Sequence, residues 1–491
     1  MSEVLEGAPV GESAEQDTTL KKNAIGLSEV LFQSITAMAP AAAVCFAMTS
    51  AYGLSGASTP LAVFLATIAC AFIASCIGQL AIHIPSAGGM YTYISRSLGA
   101  KFGFLSAWVF LLAQPLLLPY VALIWGQYAE DLVKLLTGVD ISWVIWTIIG
   151  CIILFALTFY GIKLSADASV ILGAIEILVL LTLALTMIFA SGGHNNLATF
   201  TPAFSPTGWS GIFQGMIFAF LAFVGFEAAA PLGEETSHPR RNIPLAVIFS
   251  AIGIGLFYVL ASYASVIGWG IPAISGYAND ATPWADLGKK FWGMLGPIII
   301  SFVIINSSIG NGNAGINATS RVAYAMGRVG ALPASFARLS SHRTPSFAIL
   351  LHTVVSAIIT IGCGLLFGIS GASNLIGTAL TLGLLLLYFA SCISTFVYYL
   401  RKRREDFRIV QHVIVPLVPL VILCFVFASQ VYPIPAYPQN LSLPILAVWI
   451  LLGIGYMFYL MRTNKEALAR GSEIFLEEEG SEPAELAEAP A

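Results

Sequence analysis

Charge is what this sequence most lacks. Only 10% of its 491 residues are Asp, Glu, Lys or Arg, against about 25% in an average soluble domain. From Val30 to Ser95 there is none, a run of 66 residues, whereas one helix needs only about 20 apolar residues to cross hydrocarbon. With 57% hydrophobic residues and a mean hydropathy of +0.85, the chain holds more apolar sequence than any water-soluble core consumes.

Other absences narrow the chemistry. The seven cysteines, at 45, 70, 76, 151, 363, 392 and 424, all lie inside apolar stretches with no CxxC pair, which excludes a zinc module or a disulfide framework and reads as free packing or lipid-facing thiols. His83 and His352 stand isolated, and no paired His/Asp/Ser or two-carboxylate centre occurs in the apolar stretches, so an intramembrane hydrolase is disfavoured. A channel would need a ring of repeated filter residues, which is missing too. The first two dozen residues are polar and acidic and do not resemble a cleaved secretory signal, so the first helix is expected to insert by itself. The net charge of -4 comes largely from acidic tails and gives no basic surface for nucleic acid. No cofactor, metal centre or soluble catalytic module is expected, and the tails are too short and polar for a signalling domain.

What is present is a series of apolar stretches at about 27–53, 58–83, 102–136, 142–160, 168–191, 209–233, 243–269, 292–325, 346–369, 374–400, 412–431 and 442–462. They predict an all-α integral membrane protein of twelve transmembrane helices. An inside N-terminus puts 19 of the 22 Lys and Arg on the cytoplasmic side, leaving only Lys134, Lys289 and Lys290 outside, so a multi-pass plasma-membrane protein with both termini cytoplasmic is expected, in a bacterium the inner membrane. The stretch 270–292 is the longest external segment and could carry a short helix over the outer mouth. The divisions predicted are a disordered tail (1–24), five helices (25–200), five more (201–400), two additional helices (401–465) and an acidic tail (466–491).

Two spans carry signs of interruption. Pro40 stands near the middle of the first, and its missing N–H suits the first turn of a new half-helix. The sixth combines Gly225 with Glu227 about halfway down, and a charge at that depth costs on the order of 2.5–3.5 kcal/mol on insertion scales. Either break alone reads as a kink or a close helix contact. Together, at corresponding places, they point to backbone that lines a cavity. Five helices separate their starts, an odd number, which reverses direction, so two five-helix units would be inverted copies with their breaks meeting at midplane. Half-helix N–H groups suit an anion and opposing carbonyls a cation, which a zwitterionic amino acid satisfies.

At these residues the sequence resembles the amino acid-polyamine-organocation superfamily of permeases. The resemblance rests on Ala222-Phe-Val-Gly-Phe-Glu227 and the following Leu232 to Pro244, on Pro85 to Tyr93, and on Ser320-Arg321 with Gly330-Ala-Leu-Pro333, in order from about 27 to 345. It implies a secondary transporter working by alternating access, proton-coupled import of a neutral or weakly polar amino acid being the leading expectation, with a polyamine or ethanolamine-like amine carrier or an amino acid exchanger as the alternative. The partners implied are an amino acid, a co-transported proton or cation and the lipid bilayer. The resemblance also implies that the substrate carboxylate meets the N–H groups of Ala41 and Ala42 and its ammonium the carbonyls of Met38, Leu221 and Val224. Ala113, Gln114 and Leu118 on span three, Leu221 and Phe223 on span six, and Asn311 to Gly315 on span eight would shape the pocket.

The pattern also departs from the superfamily. The first break reads Ala-Met-Ala-Pro-Ala-Ala instead of glycine-rich, and Leu221 stands where many relatives have an aromatic gate. Some relatives carry a coupling-ion substitute, a lysine, on span five, where this chain has Glu176. Glu176 and Glu227 are therefore the candidates for ion or proton coupling, although Glu227 could equally hold the broken backbone of span six, and Glu176 could be a packing residue. In the loop after span six, Asn242 is expected to cap span seven and Pro244 to lie in its first turn.

Overall fold

The computed structural model of the protein describes residues 23–464 apart from Ala87, Gly161, Ala281 and Pro433. The tails expected to be disordered, 1–24 and 466–491, lie outside the described residues except for Asn23 and Ala24. The described chain is helical, with one isolated bridge between Ile25 and Thr236. Among the described residues, ten helices are long and apolar enough to cross a bilayer. One of them, Ser346–Arg401, has 56 residues and leaves helical geometry at Gly368, and a shorter apolar helix covers Trp143–Phe159. Counting both sides of Gly368 and adding the short helix gives twelve apolar segments, called spans one to twelve below.

Helix is the only local answer here, because a backbone in hydrocarbon must satisfy its own hydrogen bonds. Burial then ranks the spans. The apolar windows of Leu27–Ala47 (span one) and Trp209–Leu232 (span six) are 78% and 100% buried, whereas those of Val410–Val431 (span eleven) and Gln439–Thr463 (span twelve) are 28% and 22% buried. Spans one and six are the core, and eleven and twelve are peripheral. Large exposed apolar residues such as Phe102, Ile152, Leu178, Phe249, Phe302 and Leu366 form the lipid-facing exterior.

Small residues set the close approaches. Span two (Thr59–His83) packs on span seven (Pro239–Trp269), where a Cβ at Gly255 would lie 2.4 Å from Thr67 Cγ2 and one at Gly78 would lie 3.1 Å from Ile248 Cδ1. This is how membrane helices gain contact without a hydrophobic driving force between them. All seven cysteines are free, and five are buried.

The face carrying Asn23 and Asn464, the near face, is tied by the first described residues. Ala24 and Ile25 donate backbone N–H to the Glu235 carbonyl, and Ser237 N–H donates to Ile25 O. On the far face the 270–292 stretch forms two short helices, Ile274–Asn279 and Pro283–Trp292, with the Tyr277 ring 4.3 Å from that of Tyr52 at the end of span one. Span seven begins at Pro239, four residues earlier than expected. Asn242 is therefore no cap: its side chain donates to Ser237 O at 2.6 Å, and Pro244 falls past the first turn.

Candidate functional site

Span one is helical over Leu27–Ala37, breaks at Met38 and Ala39, and resumes at Pro40. Ala39 takes φ 44°, ψ 67°, a left-handed conformation that costs a non-glycine residue free energy and persists only where its surroundings hold it. Pro40 needs no N–H partner, so the new half-helix starts with one fewer unpaired donor. It continues through a π-helical turn, Ala43–Ala47, to Ser55.

Span six is helical over Trp209–Phe223, turns at Val224 and at Gly225, whose φ is 117°, and continues as a 3-10 helix over Phe226–Leu232. Gly225 has no substitute. A Cβ there would sit 2.4 Å from both C and O of Ala37, so the two breaks touch backbone to backbone.

Side chains from other spans bind the freed backbone groups. The Tyr258 hydroxyl of span seven lies 2.8 Å from Met38 O and 2.9 Å from Ala222 O, so one proton serves a carbonyl from each break. Ser34 Oγ donates to Phe226 O at 2.8 Å and accepts from Ala229 N–H at 3.1 Å. From span eight (Leu295–Arg328), Asn311 donates its amide to Ala37 O and Ser307 Oγ accepts from Ala42 N–H at 3.2 Å. Glu227 Oε2 accepts from Gly225 N–H at 3.2 Å and from the Tyr388 hydroxyl of span ten at 2.8 Å, while its Oε1 has no partner among the described residues; the residue also borders a cavity of about 10 Å³ shared with Tyr91 and Ser106.

Glu176, on span five (Ile162–Ser191), is 1% exposed. It faces the Ser307 hydroxyl and the Ala41 N–H, and neither carboxylate oxygen closes a hydrogen bond of ordinary geometry among the described residues.

Between the breaks lies a cavity of about 20 Å³, lined by Met38, Ala39, Ala42, Ala43, Ala47, Leu117, Tyr120, Val121, Leu221, Ala222, Val224 and Asn311. A water needs about 10–15 Å³, so the site as it stands has room for no more than one. An amino acid enters only if the lining separates. No lining side chain is ionisable at neutral pH.

Of the residues singled out in the sequence, Met38, Ala42, Leu221, Val224 and Asn311 line this cavity, and Pro40 and Gly225 mark the breaks beside it. Ala41 stands behind it, facing Glu176. The others lie outside the lining. Ala113 packs where a Cβ at Gly383 would sit, at 2.7 Å, Leu118 packs on Gly312, and Gly315 packs on Leu117. Phe223 meets the Tyr258 ring edge-on at 5.2 Å. Gln114 is buried, with neither amide atom partnered among the described residues.

The shift on span three has a cause. Gln114–Leu116 is a 3-10 turn between two α-helical pieces, Ala100–Ala113 and Leu117–Thr137. Three residues at 3.0 per turn instead of 3.6 advance the phase by about 60°, which presents Leu117, Tyr120 and Val121 in place of Gln114 and Leu118. Pro115 was the available signal. Tyr258, Ser34, Ser307 and Tyr388 had none, since a lone hydroxyl on a membrane helix ordinarily bonds its own preceding turn.

The near side of the site is closed. Arg321 of span eight, fully buried, pairs with Glu235 through Nε–Oε2 at 2.7 Å and Nη2–Oε1 at 3.2 Å, and also reaches Asn317 and Ser320; Arg328 pairs with Glu234 at 2.8 Å.

Comparison with known proteins agrees with this architecture. Residues 25–459 match the family model described as amino acid permease. The branched-chain amino acid permease BcaP of Bacillus subtilis is 25% identical, the match covering 72% of this chain and 75% of that one. The low-affinity putrescine importer PlaP of Escherichia coli K12 is 28% identical over 61% of this chain and 66% of its own. The crystal structure of MhsT in complex with L-phenylalanine superposes with a TM-score of 0.60 at 16% identity, covering 83% of this chain and all of that one, and shares its fold. These relatives are transporters, not enzymes, and this multi-pass membrane protein belongs to the amino acid permease family.

Proposed function

We propose that the protein imports a neutral amino acid across the plasma membrane by alternating access, with a proton as the coupled ion. The observation that carries this reading is the uncharged cavity between two broken helices, whose lining includes Leu117, Tyr120, Val121, Leu221 and Met38 with a single side-chain amide, Asn311. Such a lining accepts an apolar side chain, while the broken backbone supplies polar groups for the zwitterion. The carboxylate goes to the N–H groups of Ala41 and Ala42, and the ammonium to the carbonyls of Met38, Leu221 and Val224. The Ser307 hydroxyl already accepts from Ala42 N–H, so the carboxylate displaces it.

Coupling follows from the position of Glu176. Its carboxylate and that of the substrate approach the same Ala41 N–H, and two negative charges in one dry site repel strongly. Substrate therefore binds together with a proton on Glu176. Glu227, bonded to Gly225 and Tyr388, serves chiefly to hold the span-six break.

The units 25–200 and 201–400 move against each other, the near face being cytoplasmic by its Lys and Arg excess. Putrescine import by a relative favours an amine carrier as the second reading. It finds no acidic group in the cavity lining. Uptake of labelled leucine, phenylalanine and putrescine into proteoliposomes, with and without an inward proton gradient, decides: gradient-driven uptake of the amino acids is expected, and uptake of putrescine alone would overturn the reading.

A further inference from the structure

A larger cavity opens on the far face, about 370 Å³ in volume, within the usual range of roughly 300–1,000 Å³ for small-molecule sites. We propose that it is a second amino acid site, occupied by a zwitterion with an uncharged side chain before it enters the central pocket; the proposal rests on the transport reading above.

Alignment is the first observation. Ile217 and Phe218 belong to the apolar part of the cavity wall, and each lies four residues before a central-pocket residue, Leu221 and Ala222, on the same helix face. Ser50 of the outer cavity likewise follows Ala47 of the inner one by three. The two cavities are stacked one helical turn apart along spans one and six.

The second observation is chemical. The polar lining comes from Ser50, Gln214, Asn374, Ser429, Gln430 and Gln439, with no ionisable side chain. Amides and hydroxyls both donate and accept, so they can meet an ammonium and a carboxylate together, whereas a dication would find no counter-charge.

The third is Gln430, on span eleven. It is 8% exposed, and among the described residues its Oε1 has no hydrogen-bond partner and its Nε2 has only a 3.4 Å contact with neighbouring Ser429. Buried polar atoms are normally paired. A ligand ammonium is the donor this carbonyl oxygen fits. Span eleven thus contributes to recognition although the central pocket is lined by spans one, three, six and eight.

The test uses the full chain in proteoliposomes with labelled L-leucine. Gln430→Leu should raise the KM for uptake at least about five-fold with kcat within two-fold, and Gln430→Glu should make L-lysine a competitor of uptake. If either variant fails to fold, a second readout serves. Ser50→Cys, placed in a Leu221→Trp background that fills the central pocket, should still be protected by leucine from a membrane-impermeant thiol reagent. Unchanged KM in both Gln430 variants, or no protection of the cysteine, beside normal uptake by the unmodified protein overturns the outer site alone. No uptake of any neutral amino acid by the unmodified protein overturns the transport reading and the outer site with it.

Discussion

The Tyr258 hydroxyl stands 2.8 Å from the Met38 carbonyl oxygen and, with the same proton, 2.9 Å from Ala222 O. One side chain on span seven thus fastens the broken backbone of span one to that of span six. Tyr258→Phe leaves both carbonyls without that donor, and each unsatisfied buried group costs about 1–3 kcal/mol. The expected result is a lowered thermal midpoint and a many-fold loss of kcat with the protein still in the membrane. Wild-type kinetics in the phenylalanine variant would show that the fastening is not needed.

Gly225→Ala meets both steric and conformational obstacles, because the new Cβ falls 2.4 Å from the Ala37 carbonyl group and φ is 117°. The breaks must separate or the backbone must change region. Loss of transport is expected, together with a fall in stability larger than that of Gly253→Ala, a site on span seven where the added methyl meets nothing within 4 Å. Equal stability of the two variants would contradict the contact.

The Arg321–Glu235 pair seals the near side with both side chains buried, 0% and 1% exposed. Removing one partner strands a charge at a cost of about 3–5 kcal/mol. Glu235→Gln should therefore weaken the closed state and raise the reactivity of a cysteine placed at Ala314, on span eight where Gln33 Nε2 donates to its carbonyl, towards a reagent applied from the near side. Reactivity no higher than in the parent would argue that other contacts close this face.

Glu176→Gln keeps the size of the side chain and removes its charge and exchangeable proton. Leucine uptake should persist down its own gradient, and its acceleration by an inward proton gradient should disappear. Retained acceleration would place the coupling elsewhere, with Glu227 the next group to replace.

Much of this was legible in the sequence where chemistry is local. Pro40 and Gly225 announced the breaks because only proline starts a half-helix without an N–H and only glycine admits φ 117° against the Ala37 backbone. The apolar runs gave the spans for the same reason. The side chains that hold the breaks were illegible, since Ser34 and Phe226 are 192 positions apart and Met38 and Tyr258 220, and nothing local distinguishes a hydroxyl that reaches across from one that bonds its own helix. On span three a short 3-10 turn at Pro115 rotated the expected face away from the cavity. Asn242 read as a cap because the helix start was placed four residues late.

The central claim is that the two touching breaks form a pocket for a neutral amino acid whose passage is coupled to a proton. Its most direct measurement is labelled leucine uptake into proteoliposomes holding the unmodified chain, with an imposed inward proton gradient and with Asn311→Leu as the altered-pocket control. Concentrative uptake that collapses when the gradient is dissipated and falls at least about ten-fold in the Asn311 variant is the predicted result. Uptake indifferent to both the gradient and the substitution would contradict the account.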